Sequence, residues 1–418
     1  MTGRRLALVG AMLGVAACVE RLTAPGHCPD FCPSGQIVIT DTLLTTAISG
    51  DSAYRGYVSA QQSAVMLAAR LPGSGPGDTL DGRPIFRING FGSRLILSST
   101  DTGAILGADS ARLTLLITRR DSASRNLQLQ LYRLPITIDT STTFAGVTGP
   151  FTDSLVRSIN IDTLLAQPGR KDTMTGDSVV SNDTVNHRLT LSIKLDTAAA
   201  RYVPTDSGSV AYGIRIAADT LASIAIGKGA LLKLQWYLRV DSVGTTVTRK
   251  PAELLPAFAS FVFTPPPAAL DSTLAVGGVP SVQSVLRVAF PRVLRDSSQI
   301  IRATLILVPA VAARGAPIDS FVVEARSVLA DFGAKSPLDV RFSDSTVIRA
   351  GVTDTLLVEV TNLLQVWAAD STHPTVLVLR PRNAAQSFGE IHFYPSRAPA
   401  FRPALQVTFV RRFPFGAP

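Results

Sequence analysis

Apolar and polar residues alternate along most of this chain, in short runs bounded by turn residues. In Leu127-Gln-Leu-Gln-Leu the leucines and glutamines fall on opposite faces of an extended strand, because successive side chains point to opposite sides. Similar runs at 36–40, 112–118, 189–195, 210–216, 232–240 and 321–325 each predict a half-buried strand. Long helical periodicity is missing. The best helical segment is short, 361–367, where Val360, Leu363, Leu364 and Trp367 share a face. The pattern predicts an all-β protein.

The turns between these runs have their own chemistry. Of 26 aspartates, 22 directly precede Ser or Thr, which disqualifies any single Asp as a catalytic candidate. Short polar side chains bond nearby backbone amides, so these pairs predict turns and strand entries. Structural calcium could sit in such loops, but the sequence has no DxDxDG-like cluster and assigns no metal ligand.

The clearest stretch is 354–409: a strand, a helical turn ending at Trp367, a strand, the HFYPS strand, and a last strand entered through Arg402-Pro403. The first half carries a weaker version in the same order. Residues 84–91 parallel 284–290, 111–117 parallel 302–307, 232–239 parallel 389–396, and 256–263 parallel 403–409. The run Pro265-Pro266-Pro267 marks a boundary. The expected fold is two tandem jelly-roll-like antiparallel β-sandwiches, at 37–265 (with inserts near 141–186 and 240–252) and 270–412.

The second copy resembles the DNRLRE repeat domain of large microbial surface proteins. The residues that carry this are the leucine-arginine strand 284–290, the strand 303–307, the strand 321–325, the turn from Val360 to Trp367, the Phe-Tyr-Pro-Ser strand and the closing Arg-Pro-Ala-Leu strand. The resemblance is clear over about 270–412 and loose over about 50–265. It implies a β jelly roll and, less directly, binding of a polysaccharide.

The N-terminus adds a cellular address. Arg4-Arg5 precede an apolar run of about a dozen residues, too short to span a bilayer comfortably. Val15-Ala16-Ala17-Cys18 then resembles the lipobox of bacterial lipoproteins. This implies cleavage after residue 17, lipidation of Cys18 and a membrane anchor, most simply at an outer membrane; an ordinary signal peptide with an incidental cysteine is the alternative. Residues 18–36 read as a tether. Its Cys28 and Cys32, in an exported protein, favour a local disulfide over metal binding with His27.

Charge and composition exclude several functions. The net charge of +9 comes from scattered arginines rather than a basic stripe, which argues against nucleic acid. Only four histidines occur, and no nucleophile elbow, HExxH or P-loop is present. The chain therefore reads as non-catalytic and without a cofactor, a polysaccharide-active hydrolase being a distant third reading. Binding would need an aromatic beside polar groups. Trp236 and Trp367 lie on apolar faces and read as core. The opposite strand faces are the candidates: Lys233, Gln235, Tyr237 and Arg239 in the first copy, Glu390, His392 and Tyr394 in the second. Arg87 and Arg287 occupy matching positions and are expected to fix turn aspartates. The leading expectation is polysaccharide binding, and the runner-up is a surface assembly protein that docks another envelope protein.

Overall fold

The computed structural model describes residues 38–72, 79–99, 101–121, 123–242, 246–265, 273–315, 317 and 320–412. The expected signal sequence and tether, with Cys18, Cys28 and Cys32, lie outside the described residues. Among the described residues no helix is long and apolar enough to cross a membrane.

The chain is all-β, built of antiparallel sheets. It begins with β1 (Ile39–Leu44) and β2 (Ile48–Arg55). Thirteen strands follow: β3 (Val65–Pro72), β4 (Thr79–Ile88), β5 (Arg94–Ile96), β6 (Thr102–Arg120), β7 (Gln128–Leu134), β8 (Leu155–Asn160), β9 (Ser178–Asp183), β10 (Arg188–Leu195), β11 (Val210–Ala217), β12 (Ala222–Gly227), β13 (Leu232–Ser242), β14 (Thr246–Leu254) and β15 (Phe258–Phe263). The last third holds β16 (Leu274–Gly277), β17 (Val282–Val288), β18 (Ser298–Leu307), β19 (Ser320–Val328), β20 (Leu338–Arg349), β21 (Leu356–Glu359), β22 (Val376–Pro381), β23 (Glu390–Phe393) and β24 (Ala404–Arg411).

Strands β3 to β15 form one continuous hydrogen-bonded sheet that wraps around a single core. The long strand β6 makes this wrapping feasible. It pairs β10 on one side, and β13 and then β12 on the other. The order β9-β10-β6-β13-β14 makes one wall, and β12-β3-β4-β11-β7-β8 continues into the other. Alternation supplies the core. Leu232, Leu234, Trp236, Leu238 and Val240 of β13 are all fully buried, and so are Leu127, Leu129 and Leu131 at β7. Trp236 packs edge-on against Tyr202, and its indole N–H donates to the Ala200 carbonyl at 3.2 Å. The two predicted inserts have structure: 246–254 is β14, and 135–154 lays Ile138, Val147 and Phe151 over the outer side of β4, β7 and β11.

The second sandwich places the four-stranded sheet β1-β24-β18-β21 against β20-β19-β22-β17-β16-β23, with β2 on β17. This corrects the expected boundary at residue 37. Strand β1 pairs β24 from Ile39↔Val410 to Leu44↔Leu405, and β2 pairs β17. The first sandwich, from about residue 58 to 265, is thus inserted between the second strand and the remainder of the other. The helix Thr361–Ala369 closes this core with Leu363, Leu364 and Trp367, all fully buried.

The paired strands also fail to keep equivalent positions. Strand β24 pairs β18, whereas its supposed counterpart β15 pairs β4 and not the counterpart of β18. The similar apolar spacing comes from half-burial common to both sandwiches, since a period of two says nothing about which strand lies alongside.

The sandwiches share apolar contacts. Phe388, between β22 and β23, is 1% exposed and belongs to the core of the inserted sandwich. Its ring meets Phe261 edge-on at 6.0 Å, and it covers Gly82, where a Cβ would come within 2.8 Å of the ring. The Ser63 hydroxyl donates to the Ala385 carbonyl at 2.7 Å.

Candidate ligand-binding face

The outward side of β13 carries Lys233, Gln235, Tyr237 and Arg239, as its alternation requires. Register extends this row across four neighbours. Gln235 lies opposite Glu253 on β14 and Arg112 on β6, and Arg112 lies opposite Lys194 on β10. Lys233 lies opposite Thr114, which faces Ser192, which faces Ser178 on β9. Tyr237 lies opposite Ser110, and Arg239 opposite Arg249. The sheet thus displays a cationic, hydroxyl-rich face.

Its charges are unequally matched. Lys233 pairs Glu253 at 3.0 Å. Arg239 and Arg249 share one carboxylate, Asp109, at 3.4 and 3.7 Å. Among the described residues Arg112 has neutral partners only, the Ser192 hydroxyl at 3.1 Å and the Gly176 carbonyl at 3.4 Å. Lys194 is exposed and forms no ion pair among the described residues. Exposed pairs of this kind contribute little to stability, about 0–1 kcal/mol each. Their cost of rearrangement on meeting an anionic ligand is correspondingly small. Tyr237 lies beneath the Arg249 guanidinium, 4.4 Å from ring centre to carbon, so its face is a cation–π partner and not a bare stacking platform.

Strand β23 is different, and here the structure corrects the expectation of a matching surface. Glu390 is only 7% exposed. Its carboxylate accepts from His392 Nε2 at 2.7 Å and faces Arg314 at 3.2 Å and Arg55 at 3.5 Å. Burial alone would raise its pKa; the His392 hydrogen bond and the charges of Arg314, His392 and Arg55 outweigh that and hold it at about 2. Burial lowers the pKa of Arg314, against the pull of Glu390. The other ring nitrogen of His392 meets the Thr273 hydroxyl at 2.9 Å. Tyr394 packs on Phe401 with ring centres 5.3 Å apart. These residues tie β2, β16, β23 and the 309–315 segment together.

Arg287 fixes a turn aspartate, as expected, with two hydrogen bonds to Asp331 at 2.6 and 2.9 Å. Arg87 instead donates to the carbonyls of Ile136 and Ile138. The aspartate turns are present at Asp121, Asp139, Asp172, Asp183 and Asp370, whose carboxylates each accept the amide two residues on, at 2.8–3.1 Å. No group of three His, Cys, Asp or Glu side chains among the described residues could hold a metal ion.

No family model matches this chain, and no curated protein matches it. Among solved structures, one described as BspA_C_mut aligns over 91% of both chains at 10% identity, with a TM-score of 0.17. The C-terminal domain of the Streptococcus pyogenes antigen I/II-family protein AspA aligns over 85% of this chain and 93% of its own, at 9% identity and a TM-score of 0.13. Likenesses this weak fix neither fold nor function.

Proposed function

We propose that this is an exported, lipid-anchored envelope protein that binds an anionic polysaccharide without transforming it. The observation that supports this most is the charge imbalance on the outer face of β13 and its neighbours, where among the described residues Arg112 and Lys194 have no carboxylate and Arg239 and Arg249 share one. The part-exposed hydroxyls of Ser110, Thr114 and Ser178 suit a ligand rich in oxygen. The surface address rests on the lipobox-like residues before Cys18 and on the DNRLRE-like pattern of 270–412, with the outer membrane as the simplest site. Carboxylates or sulfates on the polymer would replace the weak internal ion pairs.

A second reading, a surface assembly protein, draws on β1. This edge strand pairs only β24 among the described strands, and its Ile39 and Leu43 are 63% and 55% exposed. Exposed apolar edges invite pairing with another chain.

Chromatography separates the two. A chain starting at residue 36 is expected to be retained on immobilised alginate, to elute with added salt because exposed charges are screened, and to pass through neutral dextran. Arg112→Gln with Lys194→Gln should weaken binding roughly two- to thirtyfold, at about 0.2–1 kcal/mol per charge. Passage through every acidic polysaccharide tested would rule the proposal out. For the address, Cys18→Ser should move the protein from the membrane to the soluble fraction. Continued membrane association of that variant would contradict lipidation there.

A further inference from the structure

Strand β8, the helix Ile161–Ala166 and the turn 172–177 line an open cavity of about 170 Å³ in the inserted sandwich. It is smaller than the roughly 300–1,000 Å³ of pockets for drug-sized ligands, so it suits a single ring. Ile159 and Leu164, both core residues, lie at its base. Ser158, Thr163 and Gln167 line it, and among the described residues their side chains spend no hydrogen bond on the protein. Its charged groups are one guanidinium and two carboxylates, all engaged within the protein. Arg157 donates to Asp177 at 2.6 Å, and Asp172 accepts from the amides of Met174 and Thr175 in its own turn. An apolar base, free hydroxyl and amide groups, and a single cation already paired to Asp177 are complementary to a neutral pyranose, which has an apolar C–H face and a rim of hydroxyls.

The cavity is also placed beside the cationic face. The segment 175–177 is its wall, and the far side of that wall belongs to the face. The Gly176 carbonyl accepts from Arg112, and the Lys194 side chain lies over Gly176, where a Cβ would come within 2.9 Å of Lys194 Cδ. Asp177 accepts the Lys194 amide at 2.8 Å.

We infer that this cavity is a subsite for one neutral sugar residue, at a chain end or branch, of the polysaccharide whose acidic groups lie on the adjacent cationic face. This deepens the proposed function and rests on it. The subsite accounts for selectivity among acidic polymers, which a charged face alone cannot supply.

The test uses the full chain and saturation-transfer NMR with glucose, galactose, mannose and N-acetylglucosamine at millimolar concentration. At least one is expected to bind, and Ser158→Ala with Gln167→Ala, both exposed positions, should weaken it at least fivefold. Arg239→Gln with Arg249→Gln, on the cationic face but away from the cavity wall, should leave that titration unchanged while weakening alginate retention. Binding by none of the four sugars, or equal binding by the Ser158/Gln167 variant, overturns the subsite even where alginate retention persists. Loss of alginate retention in the wild type, with sugar binding intact, instead overturns the cationic-face reading.

Discussion

Glu390 and Tyr237 show what one residue's neighbours decide. Both lie on strands with the same alternation, and the sequence places both on polar faces. Tyr237 is on the surface because its strand faces solvent on that side. Glu390 is buried because Arg55, Arg314 and His392 converge on it, and two of these lie far away in the chain. Alternation was enough to assign Trp236 and Trp367 to the core; it carries no information about distant charges. The buried carboxylate has a consequence for pH. Its folded pKa of about 2 lies below the unfolded value of about 4.3. Its contribution is therefore complete above about pH 4.3 and is lost as pH falls through the folded value. Glu390→Gln leaves two guanidinium groups without their carboxylate and should cost about 3–5 kcal/mol at neutral pH. Denaturant unfolding between pH 7 and pH 2.5 should show a lower and flatter stability profile for the variant. A variant with the wild-type slope would mean that Glu390 does not dominate acid sensitivity.

At the scale of elements, strand existence and facing were readable and strand partners were not. The runs at 127–134, 189–195, 210–216 and 232–240 are strands β7, β10, β11 and β13, with the expected faces inward. The Asp-Ser and Asp-Thr pairs form turns because their carboxylates take the amide two residues on. Yet the half-to-half likeness misassigned β15 and β23, since any half-buried strand has the same period. The cationic face was found only in part for the same reason. Arg112, Lys194 and Arg249 join β13 through the registers of β6, β10 and β14, which depend on long-range pairing. Phe388 is another case. It lies in the segment Ala385-Gln-Ser-Phe388 between β22 and β23, and its ring fills the core of the other sandwich. Phe388→Ala should cost about 3–5 kcal/mol, the usual penalty for removing a buried ring. It should also weaken the coupling between the sandwiches, so that unfolding followed by Trp236 in one and Trp367 in the other no longer coincides. Coincident transitions with wild-type midpoints would contradict a welding role for this residue.

At the scale of the whole molecule, insertion sets the arrangement. Strand β1, the first described strand, pairs β24, the last, so both belong to one sheet of the outer sandwich. A lipid anchor at Cys18 would hold that sandwich, while the inserted one carries the cationic face and the polar cavity. On the proposed reading, anchor and ligand site would belong to different structural units joined by Phe388 and its neighbours. The most direct test is hydrogen exchange of the whole chain, read by mass spectrometry with and without alginate oligosaccharide. Slowed exchange is expected in peptides covering Arg112, 172–178, Lys194 and 232–254, with the 390–401 region unchanged. Protection confined to the outer sandwich, or none at saturating oligosaccharide, would contradict binding at this face.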